Sequence, residues 1–221
     1  MTPIIDIHTH HATARQAIIA VDPRQFNPQP GLFYSVGYHP WAELSSLTDA
    51  DYALLAQCAN HPQVLAVGET GIDRLRGCDM TAQRQAFVRH VRLAASLHKP
   101  LIVHSVRATQ DVLALWRTVP EAVGGTAPMI IHGMRGKPTV AQTLLSAGCY
   151  LSYGLHFNAA ALAATPLDHL FIETDDAPDD GGIQAVAQQV AESLGITANH
   201  LLDIVAANAH CLFSQTGASG I

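Results

Sequence analysis

The stretch Ile4-Ile5-Asp6-Ile7-His8-Thr9-His10 sets how the rest of the chain is read. A short apolar run reads as a buried strand. The strand period of two places His8 and His10 on the same side. A buried strand rarely tolerates two imidazoles without a partner. Two on one face can reach a single metal ion from the mouth of a barrel. This strand is expected to found a metal site that later strands complete.

Working outward, Ala17–Val21 reads as the second strand. Only about seven residues separate it from the first, whereas a parallel crossover usually takes a dozen or more. The second strand is therefore expected to run antiparallel. Residues 22–31 hold three prolines and a glycine and read as a loop. Residues 32–36 form the third strand and deliver Gly37-Tyr38-His39-Pro40 to the mouth.

Strand and helix then alternate. Asp49–Ala59 reads as helix, and residues 64–67 as a short buried strand ending at Gly68-Glu69-Thr70-Gly71-Ile72-Asp73. A long helix capped at Asp79 or Thr81 carries Phe87, Val91, Ala94, Ala95 and His98 on one stripe and stops at Pro100. Residues 101–103 end at His104, and Met129–Ile131 ends at His132. A helix over residues 139–147 precedes Gly148. Tyr150–Tyr153 and Leu170–Ile172 are the last strands, the latter ending at Glu173-Thr174-Asp175-Asp176. Two amphipathic helices follow, the second capped by Thr197. Eight strands in mostly parallel alternation predict an α/β fold, a distorted TIM-like (β/α)8 barrel. Its first two crossover helices are missing and strand 2 is antiparallel. The alternative is an open doubly wound sheet, which often carries a Gly-rich turn after its first strand, absent here.

Composition bounds the function. The chain has 221 residues, 48% apolar and 14% charged, which fits one folded domain over 1–221. A net charge of −6 gives no general attraction for nucleic acid. Cys58, Cys78, Cys149 and Cys211 show no C-x-x-C spacing, as expected of reduced thiols in the cytoplasm. No leader or membrane span is expected, and no obligate protein partner is inferred. Thirteen histidines are many for this length.

In barrel enzymes the chemistry sits at the C-terminal ends of the strands. Those ends carry, in order, His8 and His10, His39, Glu69, His104, His132, and Asp175 with Asp176. Alternation puts Glu173 and Asp175 on one side and Asp176 on the other. Four of these imidazoles (His8, His10, His104 and His132) and two carboxylates suit two divalent ions. Trp41, near the mouth, is equally a core residue and a surface for a base to stack on. Arg74, Arg76, Arg107, Arg135 and Lys137 follow strand ends and form either a basic rim or a solvated edge.

These stretches, with Pro100 to His104, Ile131-His132-Gly133, Glu173-Thr174-Asp175 and Asn208 to Phe213, resemble the TatD family of metal-dependent hydrolases, within the amidohydrolase-like barrels. The resemblance implies a two-metal centre, with Mg, Mn or Zn as candidate ions. His8, His10 and Asp175 would hold one ion and His104 and His132 the other, with Glu69 bridging them. It also implies phosphodiester hydrolysis of DNase or exonuclease type, on an anionic substrate such as single-stranded DNA ends. Asp175 would be the base, assisted by Glu69, and His39 or Arg107 would hold a phosphate oxygen. Met134 stands where the family usually has an aromatic, and Val106 where it has a basic residue. An amidase or lactonase acting on a small molecule with the same metals is the second expectation.

Overall fold

The computed structural model describes residues 3–118, 126–177 and 182–214. The expected domain span of 1–221 extends beyond these at both ends. Eight strands form one sheet in sequence order: β1 (Asp6–Thr9), β2 (Ala17–Val21), β3 (Phe33–Val36), β4 (Val64–Asp73), β5 (Leu101–Val106), β6 (Met129–Ile131), β7 (Tyr150–Tyr153) and β8 (Leu170–Ile172). Parallel bridging of Thr9 with Asp175 brings β8 back to β1. The Asp175 amide donates to the His8 carbonyl at 3.0 Å, and the His10 amide donates to the Asp175 carbonyl at 3.2 Å. The sheet is thus a nearly closed barrel, and the open doubly wound alternative falls.

All sheet pairings are parallel, including β1 with β2 and β2 with β3. The expected antiparallel second strand is therefore wrong. The minimum crossover length assumes a helix on the return path. Here β1 has only four residues, about 13 Å of rise. Residues 10–16 can span roughly 23 Å when extended, which is enough to return without a helix. The carbonyl of Gln16 receives the amides of Ile5 at 2.8 Å and Asp6 at 3.1 Å. Gln16 turns the chain into β2 with a φ of 59°. Between β2 and β3 the structured piece is a single 3-10 turn, Pro23–Gln25.

Seven α-helices are described: α1 (Asp49–Ala59), α2 (Met80–Leu97), α3 (Thr109–Trp116), α4 (Pro138–Ser146), α5 (Ala159–Ala163), α6 (Gly182–Leu194) and α7 (Ala198–Ser214). Thr48 and Asp51 cap α1 reciprocally. Asp79 caps α2, whose Ala86, Phe87, His90, Val91, Ala94 and Ala95 are buried. His98 is not the expected core histidine. It ends α2 in the left-handed region, with a φ of 53°, and is exposed. The histidine buried on that helix is His90. Its Nε2 accepts the Tyr38 amide at 2.9 Å, and its Nδ1 donates to the Ala86 carbonyl at 2.7 Å.

Strand β4 runs ten residues, well past the expected end at Val67. Its pairing with β5 slips between Val67 and Thr70, so Glu69 sits in a bulge and not beyond the strand. Gly71 is paired opposite His104 with a φ of 152°, and a Cβ there would collide with the His104 carbonyl oxygen. Only glycine lets β4 and β5 approach this closely.

Candidate metal centre

Glu69 is the centre of the site and is 5% exposed. Its Oε2 faces His8 Nε2 at 3.2 Å and His10 Nε2 at 3.4 Å. Its Oε1 faces His132 Nε2 at 2.8 Å, His39 Nε2 at 2.9 Å and His104 Nδ1 at 3.0 Å. Asp175 Oδ1 closes the first side, at 3.6 Å from His8 Nε2 and 3.7 Å from His10 Nε2. Four overlapping groups could hold a cation: His8, His132 and Asp175; His8, His10 and Glu69; His39, Glu69 and His104; and His10, Asp175 and Asp176. In each, the ligand atoms lie within 4.8 Å of one another.

The strands account for this convergence. His8 and its neighbours are placed by β1, which is tied to β8 through Asp6. The Asp6 carboxylate accepts from the Thr174 amide at 3.1 Å and from the Thr174 hydroxyl at 2.6 Å. Burial pushes the Asp6 carboxyl up to about 6, although the Thr174 bonds oppose it. The bulge in β4 turns Glu69 into the mouth, and the backbone of Asp175, with a φ of 52°, departs from regular strand just after β8.

The electrostatics are those of buried carboxylates answered by imidazoles. Burial acts against the charged form of Glu69, but the charges of His132 and His8 and hydrogen bonds from His10 and His104 hold it well below the usual range. Burial and the nearby His132 press His8 towards neutrality, yet Glu69 and Asp175 prevail and push it up to about 9. His132 is likewise raised, against burial, by Glu69 and Glu173. Asp175 is lowered to about 2, where burial is outweighed by His8 and His132. Both His8 nitrogens, His132 Nδ1 and Glu173 Oε2 are buried without a hydrogen bond. The 3.2 Å approach of His8 to Glu69 is an ion-pair distance without hydrogen-bond geometry. Of these, His8 Nε2 faces Glu69, and an unpartnered ring nitrogen beside a buried carboxylate is the kind of donor a divalent cation takes.

His8, His10, Glu69, His104, His132 and Asp175 come together, as the sequence predicts, and His39 joins them as closely as His104 does. Arg107 does not join them. Its φ is 52°, and it lines a cleft of 540 Å³ with Arg74, Thr109, Gln110, Asp111, Thr139, Val140 and Thr143. Arg135 lies beside the cluster, sharing a 240 Å³ cleft with Glu173, Asp175, Asp176 and His156. His11 points away, its Nε2 lying 2.8 Å from the Ala177 carbonyl.

Asp73 escaped the sequence reasoning. It is buried, and its Oδ2 lies 3.2 Å from His104 Nε2 while accepting the Trp41 indole N–H at 2.7 Å. Burial opposes its ionisation, but Trp41, the Leu75 amide and His104 keep it below the ordinary range. The signal existed: Asp73 lies four residues beyond Glu69, an even number, hence on the same strand face. Glu173 orients from the other side, its Oε1 3.5 Å from His132 Nδ1 and accepting the Gly133 amide.

A sequence-family profile described as "TatD related DNase" matches residues 5–214. The chain is 37% identical over 157 residues to the "Uncharacterized metal-dependent hydrolase TatD" of Mycobacterium tuberculosis, covering 65% of this chain and 58% of that protein. It is 32% identical over 155 residues to the "3'-5' ssDNA/RNA exonuclease TatD" of Cronobacter turicensis, covering 66% of this chain and 57% of that protein. The matched parts thus span somewhat over half the length of these two relatives. Among solved structures, the TatD homologue YJJV of Escherichia coli superimposes with a TM-score of 0.77 at 21% identity, covering 96% of this chain and 98% of that one.

Proposed function

Since this chain belongs to the TatD family of metal-dependent hydrolases, we propose that it hydrolyses phosphodiester bonds, with single-stranded DNA ends as substrate. The observation that carries this is the division of Glu69, which presents one oxygen to His8 and His10 and the other to His104 and His132. On this reading His8, His10 and Asp175 would hold one ion and His104 and His132 a second, with Glu69 shared between them. When bound, Mg, Mn or Zn supplies Lewis acidity towards a phosphoryl oxygen and lowers the pKa of a water towards neutrality.

The chain's own residues do the rest. Asp175 Oδ1 accepts the proton of the attacking water and orients it. Asp73 fixes the ring of His104 through Nε2, and the charge of Glu173, 3.5 Å from Nδ1, faces the far side of the His132 ring, so each presents its other nitrogen to Glu69. His39, whose Nε2 lies 2.9 Å from Glu69 Oε1, would donate to a phosphate oxygen. Arg107, in its neighbouring cleft, would meet the strand further from the scissile bond. A cytoplasmic location belongs to the same proposal and agrees with four free cysteines. Among the described residues, no helix is long and apolar enough to cross a membrane.

The test is cleavage of a labelled single-stranded oligonucleotide by protein loaded with Mg, Mn, Zn or Co, alongside Glu69→Gln. Metal-dependent cleavage is expected, with the variant slower by at least about a hundredfold and binding less metal. Absence of cleavage with all four metals would overturn the phosphodiester assignment and leave a small-molecule amide or lactone as the next substrate class to assay.

A further inference from the structure

Trp41 combines two properties that seldom occur together. It is 45% exposed, yet it is held on several sides. Its indole N–H donates to Asp73 Oδ2 at 2.7 Å, and its backbone amide donates to His39 Nδ1 at 3.1 Å. The guanidinium carbon of Arg76 lies 4.1 Å from the ring centroid. The rings of His39 and His104 meet it edge-on, at centroid distances of 4.8 and 5.5 Å. Arg76 is anchored through its backbone, whose amide donates to Asp73 Oδ1 at 3.1 Å. Unlike Arg74 and Arg84, which pair with Asp111, it forms no ion pair among the described residues.

A tryptophan kept for packing would bury its ring. This residue stays 45% exposed while its ring meets His39 and His104, two of the imidazoles that surround Glu69. An aromatic ring with its rotamer already fixed loses little freedom when a second ring stacks on it. The Arg76 guanidinium covers one face of the indole, so the planar guanidinium offers its own outer face for stacking on that side and adds positive charge beside the site of an anionic substrate.

We propose that Trp41 and Arg76 form a stacking platform for a nucleobase of the strand whose phosphate lies at the cluster. This rests on the phosphodiester reading above. Asp73 makes the platform and the metal site one rigid unit, since a single carboxylate oxygen serves both the Trp41 indole and His104. Every base has a π-face to stack, so the platform gives affinity with little preference among bases.

The experiment compares an oligothymidylate with a strand of the same length whose residues are abasic. Trp41 and Trp116 are the only tryptophans, and Trp116 is 7% exposed with its N–H on the Ala127 carbonyl. In metal-loaded protein given phosphorothioate strands, which resist cleavage, the intact strand is expected to quench tryptophan fluorescence and the abasic strand to leave it unchanged; equal quenching by both would overturn the platform. With metal, wild-type protein should favour the intact strand by about tenfold to a hundredfold, chiefly through KM. Trp41→Ala should erase that preference. Trp41→Phe, which keeps a ring but lacks the N–H, should retain most of it, and Arg76→Gln should reduce it severalfold. A variant damaged only in folding would lose activity on both strands alike and keep the preference, which would overturn the platform. Equal cleavage of both strands by wild type would also overturn it while leaving the phosphodiester assignment standing. Cleavage of neither strand would overturn that assignment itself.

Discussion

Glu69 shows how much one residue can organise. Buried and ringed by five imidazoles, it needs positive charge, and protons and divalent cations compete for the same ring nitrogens. The sequence revealed it because an acid directly after an apolar run is conspicuous. Asp73 was equally available to strand alternation and passed unremarked. His90 was not legible at all, since only packing against Tyr38 separates a core histidine from a surface one. Burial lowers His90 to about 4, below its ordinary 6.5. Between these values the unfolded chain binds more protons than the folded one. Stability from neutral His90 is therefore complete above about pH 6.5 and is lost as pH falls towards about 4. The full effect is about 3 kcal/mol. In His90→Gln, whose amide can still accept from Tyr38, urea unfolding should lose about 2–3 kcal/mol less than wild type between about pH 7 and about pH 4.5. Equal losses in both proteins would show that His90 does not titrate on unfolding.

Among the elements, β4 departs furthest from its reading in the sequence. Val64 to Val67 announce a short strand, but pairing resumes after the bulge and continues to Asp73. Gly68 and Gly71 make this possible, with φ values of 146° and 152° and no room for a Cβ against the Ile102 and His104 carbonyls. Gly71→Ala should force β4 and β5 apart at His104 and destabilise the fold by about 1–3 kcal/mol or more. Denaturant unfolding would measure the loss, and metal titration would register the displaced ligand as weaker binding. Unchanged values in both would mean that the strands yield freely at this point. The β1 to β2 link teaches the converse. A length rule drawn from helical crossovers failed because β1 is short enough for a bare strand-like return.

At the scale of the molecule, 18 acidic against 12 basic residues give the net charge of −6, so attraction for a polyanion must be local. Arg76 and Arg135 are the cations flanking the cluster, about two phosphate contacts. The logarithm of the oligonucleotide binding constant should then fall with the logarithm of salt concentration with a slope of about −1.4. Binding isotherms at several salt concentrations would measure it, and a slope several times steeper would place the strand on a broader basic surface. The sequence by itself determined the alternation of strand and helix, the parallel character of most of the sheet and six residues of the cluster, because each follows an apolar run whose period sets its direction. Only the tertiary structure decided the direction of β2, the company of His39, the separate cleft that Arg107 lines and the anchoring of Trp41 through Asp73. Those depend on barrel closure and strand register, which place residues far apart in the chain within a hydrogen bond of one another and leave no trace in local spacing.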